Sequence, residues 1–377
     1  MDKNIEKIIN DIVWWIPFKK LRNNVRNILF DIYNKINLLN NLIYDNKNIK
    51  YIENKINNHY NILYNSIRKS TPQAYINFVE ISLAYHCNLN CYSCMHFSQL
   101  ASEKFYDIEI FEKDIKRLSE LTNGLINTFH IMGGEPLLNK NCKDYFYILR
   151  RYFKNSSIWL VTNGILLPKQ DEKFWLSCKN NNIEIHPTKY PINIDWDNIK
   201  KICLNYNIPL VFYNNENIIK ESIKVDLDLS GNQDTFSQFM NCLGANNCIQ
   251  LDNGKLFTCS ISAYINYFNK YFNENIPITE YDYIDIYKVN NYNEILFFLS
   301  KPIPLCKYCN NINWKTIGEW KISTRSIDEY TDQTRPDQTR PDQTRPDLIV
   351  ICKEYIQFYN NLKIEKLQPM LHLKNVA

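Results

Sequence analysis

His86-Cys87-Asn88-Leu89-Asn90-Cys91-Tyr92-Ser93-Cys94 is the stretch that decides how this chain reads. Its three cysteines are spaced C-x3-C-x2-C and follow directly on Phe78-Val79-Glu80-Ile81-Ser82-Leu83-Ala84, a strand-like run. A [4Fe–4S] cube ordinarily takes four thiolates. Three thiolates from one loop leave one iron free to bind something else, which suits an enzyme better than an electron carrier.

Two further motifs lie downstream. Thirty-eight residues separate Cys94 from Gly133-Gly134-Glu135-Pro136, which ends a second strand-like run, Thr128-Phe129-His130-Ile131-Met132. Ile158-Trp159-Leu160-Val161 then leads into Thr162-Asn163-Gly164. In this order and spacing the three motifs resemble the radical S-adenosylmethionine (radical SAM) enzymes. The resemblance implies that Cys87, Cys91 and Cys94 hold a [4Fe–4S] cluster whose open iron is chelated by S-adenosylmethionine. It further implies that Gly133, Gly134 and Glu135 hold the methionine amino group and that Thr162 and Asn163 lie near the ribose. One-electron reduction would then cleave S-adenosylmethionine to a 5′-deoxyadenosyl radical. Paired glycines let backbone come close to a ligand, and a carboxylate is an acceptor for an ammonium. One departure stands out: the family places an aromatic residue just before the third cysteine, where this chain has Ser93. Catalytic residues beyond these are not evident.

Strand-like pieces near Val79–Ala84, Thr128–Met132, Ser157–Thr162, Ile183–His186 and Pro209–Tyr213 alternate with helical patterns over Ile108–Leu121, Cys142–Phe153, Asp171–Asn181 and Asp195–Asn205. That alternation predicts parallel strands joined by right-handed helical crossovers, an α/β fold. The resemblance implies a partial, six-stranded (β/α)6 TIM-like barrel over residues 76–230, with Val225–Leu229 as the candidate sixth strand. In such barrels the loops at the carboxyl ends of the strands carry the chemistry, and all three motifs fall there.

A second set of cysteines follows. Cys242, Gly254 and Cys259 read C-x11-G-x4-C, and Cys306-Lys307-Tyr308-Cys309 adds a C-x2-C. This looks like the short SPASM extension called twitch, which implies a second [4Fe–4S] cluster held by Cys242, Cys259, Cys306 and Cys309 in residues 231–325. Cys248 competes with Cys242 but has only five residues between it and Gly254. Four thiolates in paired spacing suit zinc as well, so both metals stay open. Cys142, Cys178 and Cys203 fall in helical stretches and read as small buried hydrophobes. His186 and Lys189, after a strand, are candidates to touch cofactor or substrate, and His96 to shape the cysteine loop. Of Asp226 and Asp228, only one can face inward.

Residues 1–75 form a helical segment with apolar residues at helical spacing and an expected break at Pro17. Its twelve Lys/Arg against six Asp/Glu hold more than the whole net charge of +4, so a basic nucleic-acid groove over the catalytic part is not indicated. The run Trp14-Trp15-Ile16-Pro17-Phe18-Lys19-Lys20-Leu21-Arg22 resembles the start of bacterial capsule and lipooligosaccharide biosynthesis proteins, and its composition also suits a peripheral membrane contact. Buried packing is the plainer alternative. Three copies of Asp-Gln-Thr-Arg-Pro over 332–346 predict a solvated linker spanning 326–347, followed by a carboxyl-terminal helix and tail over 348–377. Twelve cysteines without an export signal point to a reducing compartment, the cytoplasm, with the inner membrane as a peripheral location.

Three functions are consistent with this pattern. The leading one is hydrogen abstraction from a sugar or nucleotide-sugar in surface-polysaccharide biosynthesis, giving oxidation or epimerisation, with an electron donor such as flavodoxin or ferredoxin. A peptide maturase of the SPASM/twitch type is the second, although the all-helical start offers no evident winged helix for a leader peptide. A metal-stabilised scaffold without catalysis is the third.

Overall fold

The computed structural model describes residues 3–14, 16, 19–40, 75–213 and 215–331. The chain divides into two units, residues 1–70 with 340–377, and residues 71–339. In the first unit, α1 (Lys3–Trp14) and α2 (Lys19–Asn40) are tied by Arg26 Nε donating to Asn10 Oδ1 at 2.8 Å and Arg22 Nε to the Ile16 carbonyl at 2.8 Å. Pro17, the DQTRP repeat and the helix expected after it lie outside the described residues. No helix among the described residues is long and apolar enough to cross a membrane.

The second unit is built on strands and crossover helices: β1 (Ile76–Ala84), α3 (Ile108–Thr122), β2 (Ile126–Gly133), α4 (Cys142–Tyr152), β3 (Ser157–Thr162), α5 (Glu172–Asn180), β4 (Ile183–Pro187) and α6 (Trp196–Tyr206). The order β4-β3-β2-β1 is parallel throughout. Alternate residues point to one face: Val79, Ile81 and Leu83 of β1, Phe129 and Ile131 of β2, and Ile158 and Leu160 of β3 join Phe111, Ile115, Phe146 and Phe174 of the helices in one core. Each such side chain contributes roughly 1.5–3 kcal/mol by leaving water. Asp107, Asp171 and Asp195 cap α3, α5 and α6 by accepting backbone N–H groups of the first turn, which fixes where each crossover starts.

The fifth segment runs beside β4 without becoming a full strand. Ile185 N donates to the Pro209 carbonyl at 2.9 Å, Val211 N to Ile185 at 2.9 Å and Tyr213 N to Pro187 at 3.0 Å. Pro209 has no N–H to add a bond of its own. The segment expected as a sixth strand, Val225–Leu229, is not one. Its N–H groups go elsewhere: Val225 N to Ser93 Oγ at 2.8 Å, Leu227 N to the Tyr330 carbonyl at 2.6 Å and Asp228 N to the Tyr308 carbonyl at 2.8 Å.

After β5 (Glu221–Lys224) and α7 (Thr235–Asn241), the hairpin β6 (Ile249–Asp252) and β7 (Lys255–Phe257) adds to the far side of β1, pairing Val79 with Ile249 and Glu80 with Gln250 in parallel. The hairpin turns on Asn253 (φ 46°) and Gly254 (φ 74°), the pair that a two-residue turn with both φ positive requires. α8 (Ser260–Phe272), β8 (Tyr283–Asp285), α9 (Tyr292–Leu299) and β9 (Lys315–Glu319) follow, β9 pairing antiparallel with β5.

Candidate active site

Cys87, Cys91 and Cys94 line one cavity of about 250 Å³ at the carboxyl ends of β1–β4, together with Gly133, Gly134, Thr162 and Asn163. Each sulfur meets donors. Leu89 N reaches Cys87 Sγ at 3.3 Å, Trp320 Nε1 reaches Cys91 Sγ at 3.3 Å, and Tyr190 also hydrogen-bonds Cys91. Burial pushes the Cys87 and Cys91 thiols up. Burial also acts upward on Cys94, but the hydrogen bond and charge of His96 outweigh it and the thiol is lowered.

The paired glycines prove to be required by packing. A Cβ at Gly133 would lie 2.3 Å from the Ala84 carbonyl oxygen, and one at Gly134 would lie 2.0 Å from that of His86. With no side chain there, Gly134 N donates to the Ala84 carbonyl at 2.8 Å and Glu135 N to that of His86 at 3.2 Å, so the turn after β2 clasps the start of the cysteine loop. Glu135 is fully buried and does not line the cavity. Its carboxylate accepts the Thr162 hydroxyl at 2.7 Å, Asn163 N at 2.9 Å and Leu137 N at 3.1 Å. Asn163 Nδ2 donates in turn to Asn88 Oδ1 at 2.7 Å, inside the cysteine loop. The three sequence motifs thus form one hydrogen-bonded assembly.

No protein-family model matches the chain. Among curated proteins, it is 28% identical over 161 residues to the GTP 3′,8-cyclase of Helicobacter pylori, covering 42% of this chain and 46% of that protein. It is 32% identical over 94 residues to the GTP 3′,8-cyclase of Petrotoga mobilis, covering 25% and 29%. The chain therefore spans about half or less of the curated relatives it matches. Similar solved structures include BtrN in complex with AdoMet and 2-DOIA (15% identity, 64% of this chain and 95% of that one, TM-score 0.42). Streptococcus suis SuiB bound to precursor peptide SuiA is another (11% identity, 76% and 84%, TM-score 0.33). These similarities agree with the resemblance to radical SAM enzymes that the three motifs carry.

A [4Fe–4S] cluster and S-adenosylmethionine are the cofactors that this resemblance implies. The residues fit the cluster: three thiols open onto one cavity, and the N–H and O–H donors aimed at their sulfurs are a standard means of stabilising such clusters.

The sheet carries a polar row that sequence reasoning missed. Gln250, Glu80, His130, Trp159 and Glu184 form one lateral row across five adjacent strands. Glu80 is 7% exposed, accepts from Gln250 Nε2, and stands 3.7 Å from His130 Nδ1 and 3.9 Å from His96 Nε2. The rings of Phe78, His130, Trp159 and His186 stack in sequence at 4.3, 4.7 and 4.0 Å. The signal was available: polar residues at every second position of strands that are otherwise apolar. His186 joins this face, bonded to Glu184 at 3.1 Å, and burial lowers it. His96 lies between Cys94 and Glu80. Lys189 contributes its carbonyl, which accepts Lys220 N at 2.8 Å. Asp226 is the inward aspartate, bonded by Asn310 Nδ2 at 2.7 Å and Asn313 Nδ2 at 3.0 Å, whereas Asp228 holds Ser230 and Gln233 nearer the surface.

Cys306 and Cys309 are buried in a second core, with Cys242 and Cys259 packed against it. Cys309 is pushed up by burial and then by Cys259, Cys306 and Cys242. Cys259, pushed up to about 11 by burial and then by Cys242, is also met by the Ser262 hydroxyl at 3.5 Å. Cys248 lies outside this core and acts on Tyr213. Cys142, Cys178 and Cys203 are buried in the main core.

Proposed function

We propose that the chain is a radical SAM enzyme that abstracts hydrogen from a sugar or nucleotide-sugar, oxidising or epimerising it during surface-polysaccharide biosynthesis. The convergence of Cys87, Cys91, Cys94, Gly133, Gly134, Thr162 and Asn163 on one cavity carries the enzymatic part. When bound there and reduced by one electron from a flavodoxin or ferredoxin, the cluster and S-adenosylmethionine supply the hydrogen-abstracting power. The chain's own residues bind, orient and shield. Backbone at Gly133 and Gly134 receives the methionine amino group, the Thr162–Asn163 turn receives the ribose, and buried Glu135 holds both turns in register. Thr188, Tyr190 and Ser222 line the cavity and suit a hydroxyl-bearing substrate, since alcohols both donate and accept hydrogen bonds. Lys220 at the rim suits a phosphate of a nucleotide-sugar.

Cys242, Cys259, Cys306 and Cys309 hold a second [4Fe–4S] cluster in this reading. With all four thiolates engaged it accepts or relays an electron, which favours oxidation over epimerisation. Peripheral membrane contact through the amino-terminal unit draws its support from Trp14, exposed just ahead of Lys19, Lys20 and Arg22.

Anaerobic reconstitution with iron and sulfide, followed by reduction with S-adenosylmethionine present, tests the reading. Release of 5′-deoxyadenosine, lost in Cys91→Ala, is expected, and deuterium from a labelled nucleotide-sugar should appear in that product. An iron-loaded chain that leaves S-adenosylmethionine intact sinks the proposal.

A further inference from the structure

We propose that Trp320 is a positioning residue that sets the reduction potential of the cluster at Cys87, Cys91 and Cys94, and that residues 320–331 strap the cysteine loop so that it can. The inference rests on the three-cysteine cluster of the radical SAM reading. Trp320 follows β9, 229 positions after Cys91, yet its indole N–H points at Cys91 Sγ at 3.3 Å. Indole nitrogen is a donor only. A neutral thiol is a weak acceptor, whereas an iron-bound thiolate makes the same contact charge-assisted. The placement therefore has its full value only when Cys91 is a ligand.

The geometry around Trp320 is held from several sides. Its ring meets Tyr190 edge-on at 5.6 Å, and Lys321 N donates to Ser222 Oγ at 2.7 Å, anchoring the strap to the β5–β9 ribbon. The strap then pairs with the cysteine loop as a short antiparallel bridge, with Tyr92 N donating to the Lys321 carbonyl at 3.0 Å and Ser323 N to that of Asn90 at 2.8 Å. Farther on, Glu329 is 2% exposed and accepts Ser93 N at 3.2 Å, while the Tyr330 hydroxyl donates to the Cys94 carbonyl at 3.0 Å. Ser93 itself has φ 51°, and its hydroxyl oxygen accepts Val225 N, so a small polar residue is what this spot accommodates. Every stretch of the loop from Asn90 to Cys94 is thus bonded to the strap.

Reduction adds negative charge to a thiolate-ligated cube, and a hydrogen bond to a ligand sulfur stabilises the reduced form more than the oxidised one. Removing the indole N–H while keeping an aromatic ring should therefore make the cluster harder to reduce.

The experiment is an EPR-monitored redox titration of reconstituted wild-type and W320F protein, following the signal that S-adenosylmethionine perturbs, with iron content and thermal midpoint measured alongside. W320F is expected to keep its iron and fold and to titrate at a more negative potential. An unchanged potential in iron-loaded W320F overturns the proposal, as does a folded W320F that binds no iron at the loop. If W320F does not fold, S222A decides: it keeps the indole and every charge but removes the Lys321 N acceptor that anchors the strap, and the proposal then requires the same negative shift, an unchanged potential overturning it. Absence of iron from the loop of the wild-type protein would instead refute the reading of the site itself.

Discussion

The Thr162 hydroxyl donates to the Glu135 carboxylate at 2.7 Å, latching the turn after β3 to the turn after β2. Both turns border the cavity, yet the latch is buried beneath it. Glu135 therefore serves the cavity by fixing the backbone of its neighbours, and its protonation state is a property of the fold.

That property is measurable. Burial raises the Glu135 carboxyl to about 7 from an ordinary 4.5, against the pull of hydrogen bonds from Asn163, Thr162 and Leu137. The folded state holds this proton more tightly than the unfolded chain does, so stability is lost as pH rises from the lower value through the higher and is level above it. The cost amounts to about 3 kcal/mol. Urea unfolding of cluster-free protein at pH 5 and pH 8 should show this loss, and Glu135→Gln should lack it. Parallel pH dependences for the two proteins would contradict the argument.

Gly134→Ala should fail for a steric reason. The new methyl would sit 2.0 Å from the His86 carbonyl oxygen, which is backbone and cannot swing aside. Separating β2 from the cysteine loop should cost about 3 kcal/mol, the upper range for overpacking. A thermal midpoint equal to that of the wild type, with normal iron uptake, would show that the clasp is dispensable.

Much of this architecture was legible because its signals are local. Val79, Ile81 and Leu83 alternate with Glu80 and Ser82, and the aspartates before α3, α5 and α6 mark helix starts within a single turn. The cysteine spacing needs no partner to be read. What escaped depends on distant chain. Val225–Leu229 has the alternation of a strand, but its N–H groups are claimed by Ser93, Tyr330 and Tyr308. The free side of β1 is taken by β6, whose Gln250 meets Glu80 across 170 positions. Trp320, Glu329 and Tyr330 belong to a stretch without helical or strand periodicity, and only the fold brings them to the cysteines.

Asp226 ties the segment after β5 to the chain that follows Cys309. Its carboxylate accepts Asn310 Nδ2 and Asn313 Nδ2, and its carbonyl accepts Asn310 N at 3.0 Å and Trp314 Nε1 at 3.1 Å, immediately beside Cys309. Asp226→Ala keeps the carbonyl bonds but strands one buried and one half-buried amide, a loss of about 2 kcal/mol. Differential scanning calorimetry should register it. A variant as stable as the wild type would mean that water replaces the carboxylate there.

Iron content separates the two cysteine groups. If each holds a cube, reconstituted wild-type protein carries about eight irons per chain. Cys309 is buried in the core against which Cys242 and Cys259 pack, so Cys309→Ala removes one of the two buried cysteines of the four. Its loss should bring the content down to about four irons, while the cluster at Cys87, Cys91 and Cys94 still cleaves S-adenosylmethionine when supplied with a chemical reductant. Turnover of the substrate to an oxidised product should nevertheless stop, because the electron left on the substrate then has no acceptor in the chain. Retention of about eight irons would place the second cluster on other ligands. A wild-type chain that binds zinc at these four sulfurs would remove the acceptor altogether and shift the reaction toward epimerisation, in which no net electron leaves the substrate.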